Sequence, residues 1–217
     1  MEAPVVVIVC APPRSGTSCI AAILAKLGIP MGVRGAERIK GRTTGYCEDP
    51  ILRRIGESSM DVWTWKWRNT YTQRVELFRQ WLLARRQQSP EAKTLGGKFP
   101  RICTMVPEMA EAIPNLRAIA IDRPASDSAS SNNASWRLRL PMQFMVRVLR
   151  RVAAKRDADL LAYGVPTLRL KFTDIMTQPT ETVDGIIAFL HLTPTVQQRQ
   201  AAIDHIDPSL NHHTKLP

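Results

Sequence analysis

Residues 5–18, Val-Val-Val-Ile-Val-Cys-Ala-Pro-Pro-Arg-Ser-Gly-Thr-Ser, constrain the fold more than any other part of the chain. The first six are apolar and mostly β-branched, the composition of a strand buried on both faces in a parallel sheet. A tight turn containing Gly16 follows. Ile20, Ile23, Leu24 and Leu27 then recur at helical spacing and stop at Gly28. Strand, turn and helix N-terminus in this order gather free backbone N–H groups and a positive dipole end around one point, which suits a phosphate.

The turn is similar to the nucleoside-triphosphate loop GxxxxGK(S/T), with informative departures. Ala11 stands where the first glycine belongs and Thr17 where the lysine belongs. The cation has moved to Arg14, ahead of Gly16. The loop is therefore expected to hold a phosphate but not a triphosphate–magnesium unit.

A chain of 217 residues fits one domain, here 1–217, large enough for a full core. No apolar run approaches a membrane span, and Glu2 followed by Pro4 is no secretory leader. Cys10, Cys19, Cys47 and Cys103 lack CxxC pairing or a histidine at metal spacing. They read as reduced, mostly buried thiols of a cytoplasmic protein without a metal site. Asn133-Ala134-Ser135 then matches the glycosylation pattern by chance.

The net charge of +11 concerns partners more than fold. Nucleic acid, a polyanionic nucleotide cofactor or an acidic acceptor would each answer it. Residues 137–156 hold seven Arg or Lys and no acid. Met142, Met145, Leu149 and Val152 recur there at helical spacing, so Arg147, Arg150 and Arg151 read first as a solvated helix face.

Along the rest of the chain, Met31 to Gly45 is a Gly- and Arg-rich connection expected to be exposed. A short helix opens near Pro50 and includes Ile51 and Ile55. A longer helix spans about 70–88, with Val75, Phe78, Trp81 and Leu82 on one face. Thr94 to Lys98 is a weak strand, followed by Pro100 and a helix around 105–112. Leu116 to Asp122 and Thr167 to Phe172 are further strands, and a helix covers Thr182 to Leu190. This alternation predicts an α/β fold of the three-layer P-loop type, a mostly parallel central sheet flanked by helices. Ligands sit beyond the carboxyl ends of such strands, which puts Arg14, Lys98 and Arg123 on one edge. Three cations there suit a compound with several anionic groups.

Pro12-Pro13-Arg14-Ser15-Gly16-Thr17-Ser18 resembles the PRSGTT or PKSGTT loop of sulfotransferases that use 3′-phosphoadenosine 5′-phosphosulfate (PAPS). Those enzymes end a central strand with an arginine and carry a serine eight residues later, the pair gripping the 3′-phosphate. Arg123 and Ser131 match that spacing, with Ser130 an alternative register. Lys98-Phe99-Pro100-Arg101-Ile102 is similar to a KDPRL segment, with Phe99 in place of the acid. Gly45-Tyr46-Cys47-Glu48-Asp49 resembles a GYxE segment, and Leu170 to Ile175 followed by Thr180 to Leu192 resembles a YEDL strand and FLGL helix. The tail, Ile206 to His213, resembles an IDPxLxHH ending. The matches run in order from residue 5 to about 213.

The resemblance implies PAPS as donor, adenosine 3′,5′-bisphosphate as product, and a small-molecule, sugar or lipid acceptor bearing a hydroxyl or amine. It implies no nucleic-acid partner, no membrane span and no magnesium. Arg14, Ser15, Gly16, Thr17 and Ser18 would bind the 5′-phosphate, and Arg123 with Ser131 the 3′-phosphate. Arg14 would also meet charge growing on the bridging oxygen, and Lys98 would stabilise the transferring group. Many members use a histidine as base in the segment that here reads Lys98-Phe99-Pro100. The histidines here are His191, His205, His212 and His213. Glu48 is the first choice for base, against a helix-terminal dipole role; Glu37 is weaker. His191 is expected to cap a helix and Asp174 to pair locally. Trp63, Trp65, Trp67 and Tyr71 can line an acceptor pocket, though core or lid packing is the first expectation. The alternatives are a P-loop small-metabolite kinase using ATP-Mg, with Asp122 as its metal-binding acid, and a basic nucleic-acid-binding protein without catalysis.

Overall fold

A computed structural model describes residues 3–32, 48–59, 67–135 and 140–207. Four parallel strands form one sheet in the order β2–β1–β3–β4: β1 (Val5–Cys10), β2 (Thr94–Lys98), β3 (Leu116–Asp122) and β4 (Thr167–Lys171). The described residues also form nine α-helices. These are α1 (Thr17–Lys26), α2 (Pro50–Ser59), α3 (Tyr71–Gln88), α4 (Val106–Ala112), α5 (Ala125–Ser135), α6 (Met142–Ala162), α7 (Phe172–Thr177), α8 (Pro179–Leu190) and α9 (Val196–Ile203). A 3-10 turn spans Pro100–Thr104.

Successive residues of β1 point to opposite faces, and both faces are covered. Val6, Ile8 and Cys10 pack with Leu52 of α2, Phe78 and Trp81 of α3, Met109 of α4 and Val152 and Leu160 of α6. Val7 and Val9 pack with Ile20, Ile23 and Leu24 of α1, Val183 and Ile186 of α8 and Ala202 of α9. The sequence-predicted α/β three-layer fold is thus observed. Thr70 closes the start of α3 with a reciprocal cap: its hydroxyl accepts from the Gln73 N–H, and Gln73 Oε1 accepts from the Thr70 N–H.

Strand order reverses between β1 and β3. The chain leaves β1 through α1 on one face and leaves β3 through α5 and α6 on the other. A crevice at the carboxyl edge follows from that divergence.

Several expectations need correction. Met31 is buried, not exposed, while the remainder of its connection from residue 33 to 45 lies outside the described residues. Phe172 opens α7 instead of ending β4. Met142 is exposed, since α6 begins clear of the sheet, and its N-terminal half packs Met145 and Leu149 on Ala129 of α5. Arg147, Arg150 and Arg151 are exposed and make no ion pair with another described residue, as a solvated face requires. Helices α5 and α9 lacked an apolar period strong enough to be anticipated.

Candidate active site

The loop after β1 reaches α1 through two residues in the left-handed backbone region, Arg14 (φ 65°) and Gly16 (φ 91°). A Cβ at Gly16 would come within 2.7 Å of the Phe172 ring, so glycine serves both the turn and the close approach. Gly16 caps α1 without a side-chain hydrogen bond, which leaves the first N–H groups of α1 without a capping oxygen. Ser15 and Thr17 are buried at this point and Ser18 half-buried.

On the β3 side, the Arg123 Nη1 donates to the Arg14 carbonyl at 2.9 Å, and the Arg14 Nε donates to Ser131 Oγ at 3.0 Å. The Arg123 guanidinium lies 4.0 Å from the centre of the Phe172 ring. Its Nε is buried without a hydrogen-bond partner. Burial lowers the pKa of both arginines, and at Arg123 the Arg14 charge adds to that while Asp127 partly opposes it. Two guanidinium groups held this way gain from an anion between them.

On the β2 side, the Lys98 ammonium is 1% exposed and donates to Glu48 Oε1 at 3.2 Å and Ser18 Oγ at 3.1 Å. A cation at that depth needs such partners. Asp49 holds Glu48 in place. Its N–H donates to the Lys98 carbonyl, its Oδ1 accepts from the N–H groups of Ile51 and Leu52, and its Oδ2 accepts from Trp81 Nε1 at 2.8 Å. The helix-terminal role weighed for Glu48 therefore belongs to Asp49, which the sequence reading passed over.

The structure thus brings Arg14, Ser15, Gly16, Thr17, Ser18, Glu48, Lys98, Arg123 and Ser131 to one edge of the sheet. Ser131 meets Arg14 and not Arg123. Trp67 and Tyr71 are exposed, not core; Trp67 stacks 4.1 Å from the Arg74 guanidinium, itself paired with Glu108 at 2.6 Å. Trp63, Trp65, Glu37, Gly45, Tyr46, Cys47 and the tail from Pro208 to His213 lie outside the described residues. His191 ends α8 in the left-handed conformation, as a helix terminus demands. Cys10 and Cys103 are buried and Cys19 half-buried, all as free thiols. Burial raises all three, to about 12 at Cys19 and Cys103.

Two further residues missed from sequence complete the edge. Phe172 supports Arg123, and Arg156 of α6 is 1% exposed with every guanidinium nitrogen engaged. Asp122, the acid a kinase would need, accepts from Arg156 Nη2 at 2.6 Å and sits 3.6 Å from Arg169 Nη1. It is committed to structural pairing.

An all-parallel α/β sheet with a cationic crevice at its order reversal is the class to which this geometry belongs. A sequence model of the sulfotransferase family matches residues 4–196, and the chain belongs to that family. Solved structures show the same fold. Sulfotransferase STF9 from Mycobacterium avium matches with TM-score 0.58 at 15% identity, over 99% of this chain and 69% of that one. The sulfotransferase domain of the Synechococcus PCC 7002 olefin synthase matches with TM-score 0.57 at 16% identity, over 100% of this chain and 90% of that one. Sulfotransferase STF1 from Mycobacterium tuberculosis H37Rv gives 0.57 at 12%, over 94% and 72%. No curated protein sequence matches significantly. Among the described residues no helix is long and apolar enough to cross a membrane.

Proposed function

We propose that this chain, working as a single domain, moves a sulfuryl group from PAPS to a hydroxyl or amine of a small-molecule, sugar or lipid acceptor. One observation carries the choice of donor: Arg14 and Arg123 are clasped beside an uncapped helix N-terminus, and a buried Arg123 nitrogen still lacks a partner. That set fits a ligand with two phosphates. When bound, PAPS supplies an activated sulfuryl group whose departure leaves adenosine 3′,5′-bisphosphate.

The N–H groups of Thr17 and Ser18 and the Arg14 guanidinium bind the 5′-phosphate side. Arg14 donates where negative charge grows as the bond breaks. Arg123 and Ser131 hold the second phosphate; Ser131 Oγ accepts from Arg14 and keeps its own O–H to donate. Lys98 donates to anionic oxygen of the transferring group. Glu48, held at this edge by Lys98 and Asp49, takes the proton from the acceptor. The buried cysteines remain thiols in a reducing cytoplasm.

Calorimetric titration tests the donor assignment. Adenosine 3′,5′-bisphosphate should bind wild type without metal and bind Arg123→Ala weakly; binding of ATP-Mg alone would overturn it. For the base, Glu48→Gln should leave bisphosphate binding intact and slow turnover by about a hundredfold or more. Unchanged turnover would remove Glu48 from the mechanism.

A further inference from the structure

We infer that Arg156 is a positioning residue: from α6, it sets the spacing between the Arg14 loop and Arg123, and so the recognition of the donor's second phosphate. The inference rests on the PAPS assignment above. Its basis is a set of backbone contacts. Arg156 Nη1 donates to the Cys10 carbonyl at 3.3 Å and to the Ile121 carbonyl at 3.0 Å. Cys10 is the last residue of β1, before the Arg14 loop, and Ile121 lies two residues before Arg123. The two chains separate there toward opposite faces of the sheet, and the guanidinium bridges them where they part.

The remaining nitrogens fix the bridge. Nη2 donates to Asp122 Oδ1 at 2.6 Å and Nε to Asp157 Oδ1 at 2.8 Å. Asp122 and Asp157 are themselves 45% and 36% exposed and have Arg169 as a second cation. Neither carboxylate needs a buried arginine for its own solvation. What the burial achieves is contact with two strand ends through one rigid, planar fork, which an ammonium cannot reproduce. The same helix packs on α5, which carries Ser131, so both walls of the crevice depend on where α6 sits.

The readout is the ratio of affinities for adenosine 3′,5′-bisphosphate and adenosine 5′-monophosphate, by calorimetry on the full chain. A general loss of structure weakens both ligands together. A lost spacing weakens only the gain from the 3′-phosphate. Arg156→Lys should narrow that ratio by about tenfold, while circular dichroism shows a folded protein. An unchanged ratio overturns the inference. If Arg156→Lys does not fold, Asp157→Ala decides: it removes the acceptor of Arg156 Nε at a half-exposed position and should narrow the ratio in the same direction, and an unchanged ratio there also overturns the inference. A wild type that does not distinguish the two ligands overturns the donor assignment, and this inference with it.

Discussion

Arg123 and Arg156 reach the same end of β3, yet they are opposites in their bonding. Arg156 spends every nitrogen on two carbonyls and two carboxylates. Burial pulls its pKa down, but the bonds to Asp157 and Asp122 outweigh that and hold it above the ordinary arginine value. Arg123 has one carbonyl, an aromatic ring and a nitrogen with no partner, and burial leaves its pKa lowered. A saturated buried cation belongs to the frame of the molecule. An unsaturated one holds bonding capacity for something that arrives later, because a desolvated donor left alone is costly in the free protein.

The contrast is breakable. Arg156→Met should cost about 3 kcal/mol of stability in urea unfolding, since two strand-end carbonyls lose their donor together with an ion pair. Arg123→Met should cost almost nothing in the same assay; equal losses would erase the distinction. On ligand binding the order inverts. Arg123→Ala should weaken adenosine 3′,5′-bisphosphate by about a hundredfold in calorimetry, the scale of charge-assisted bonds to a phosphate. Next, Gly16→Ala should cost about 1–2 kcal/mol of stability, because φ 91° strains alanine and its methyl meets the ring beneath Arg123. Wild-type stability after that change would mean that Phe172 yields easily and does not fix Arg123.

The smallest effect concerns acid. Burial opposes ionisation of Asp157, but hydrogen bonds and charge from Arg156 and Arg169 outweigh it and hold its pKa below the ordinary value of 3.8. A lowered folded pKa means stability present above the unfolded value and lost as pH falls through the folded one. Denaturation followed below about pH 4 should therefore show a shallower acid loss in Asp157→Asn than in wild type. Parallel acid curves would show that Arg156 does not depend on this carboxylate.

Much of the fold was legible because it rests on local chemistry. β1 declares itself through six apolar residues, and the bounds of β3 match the segment Leu116 to Asp122, apolar but for Arg117 and the terminal acid. β2 was faint because Gly96 and Gly97 carry no strand propensity. Gly97 stands there because Leu52 and Trp81 press on one face of the strand, where a Cβ would lie within 2.6 Å of Leu52, and Gly96 because Met31 and Ile29 press on the other. The loop between β1 and α1 was legible, as was the edge that gathers Arg14, Lys98 and Arg123. The positions of Asp49, Phe172 and Arg156 were not, because nothing near them in the chain marks a partner.

Taken alone, the sequence determined β1, its loop, α1 and the parallel alternation, since side-chain period and glycine placement act over a few residues. Tertiary structure alone decided who meets whom. Lys98 finds Glu48 across 50 positions, Arg14 finds Ser131 across 117 and Arg156 finds Cys10 across 146. Those pairings depend on which strands become neighbours and on which face each helix lands, and burial then leaves each cation only the partners that packing brings within reach.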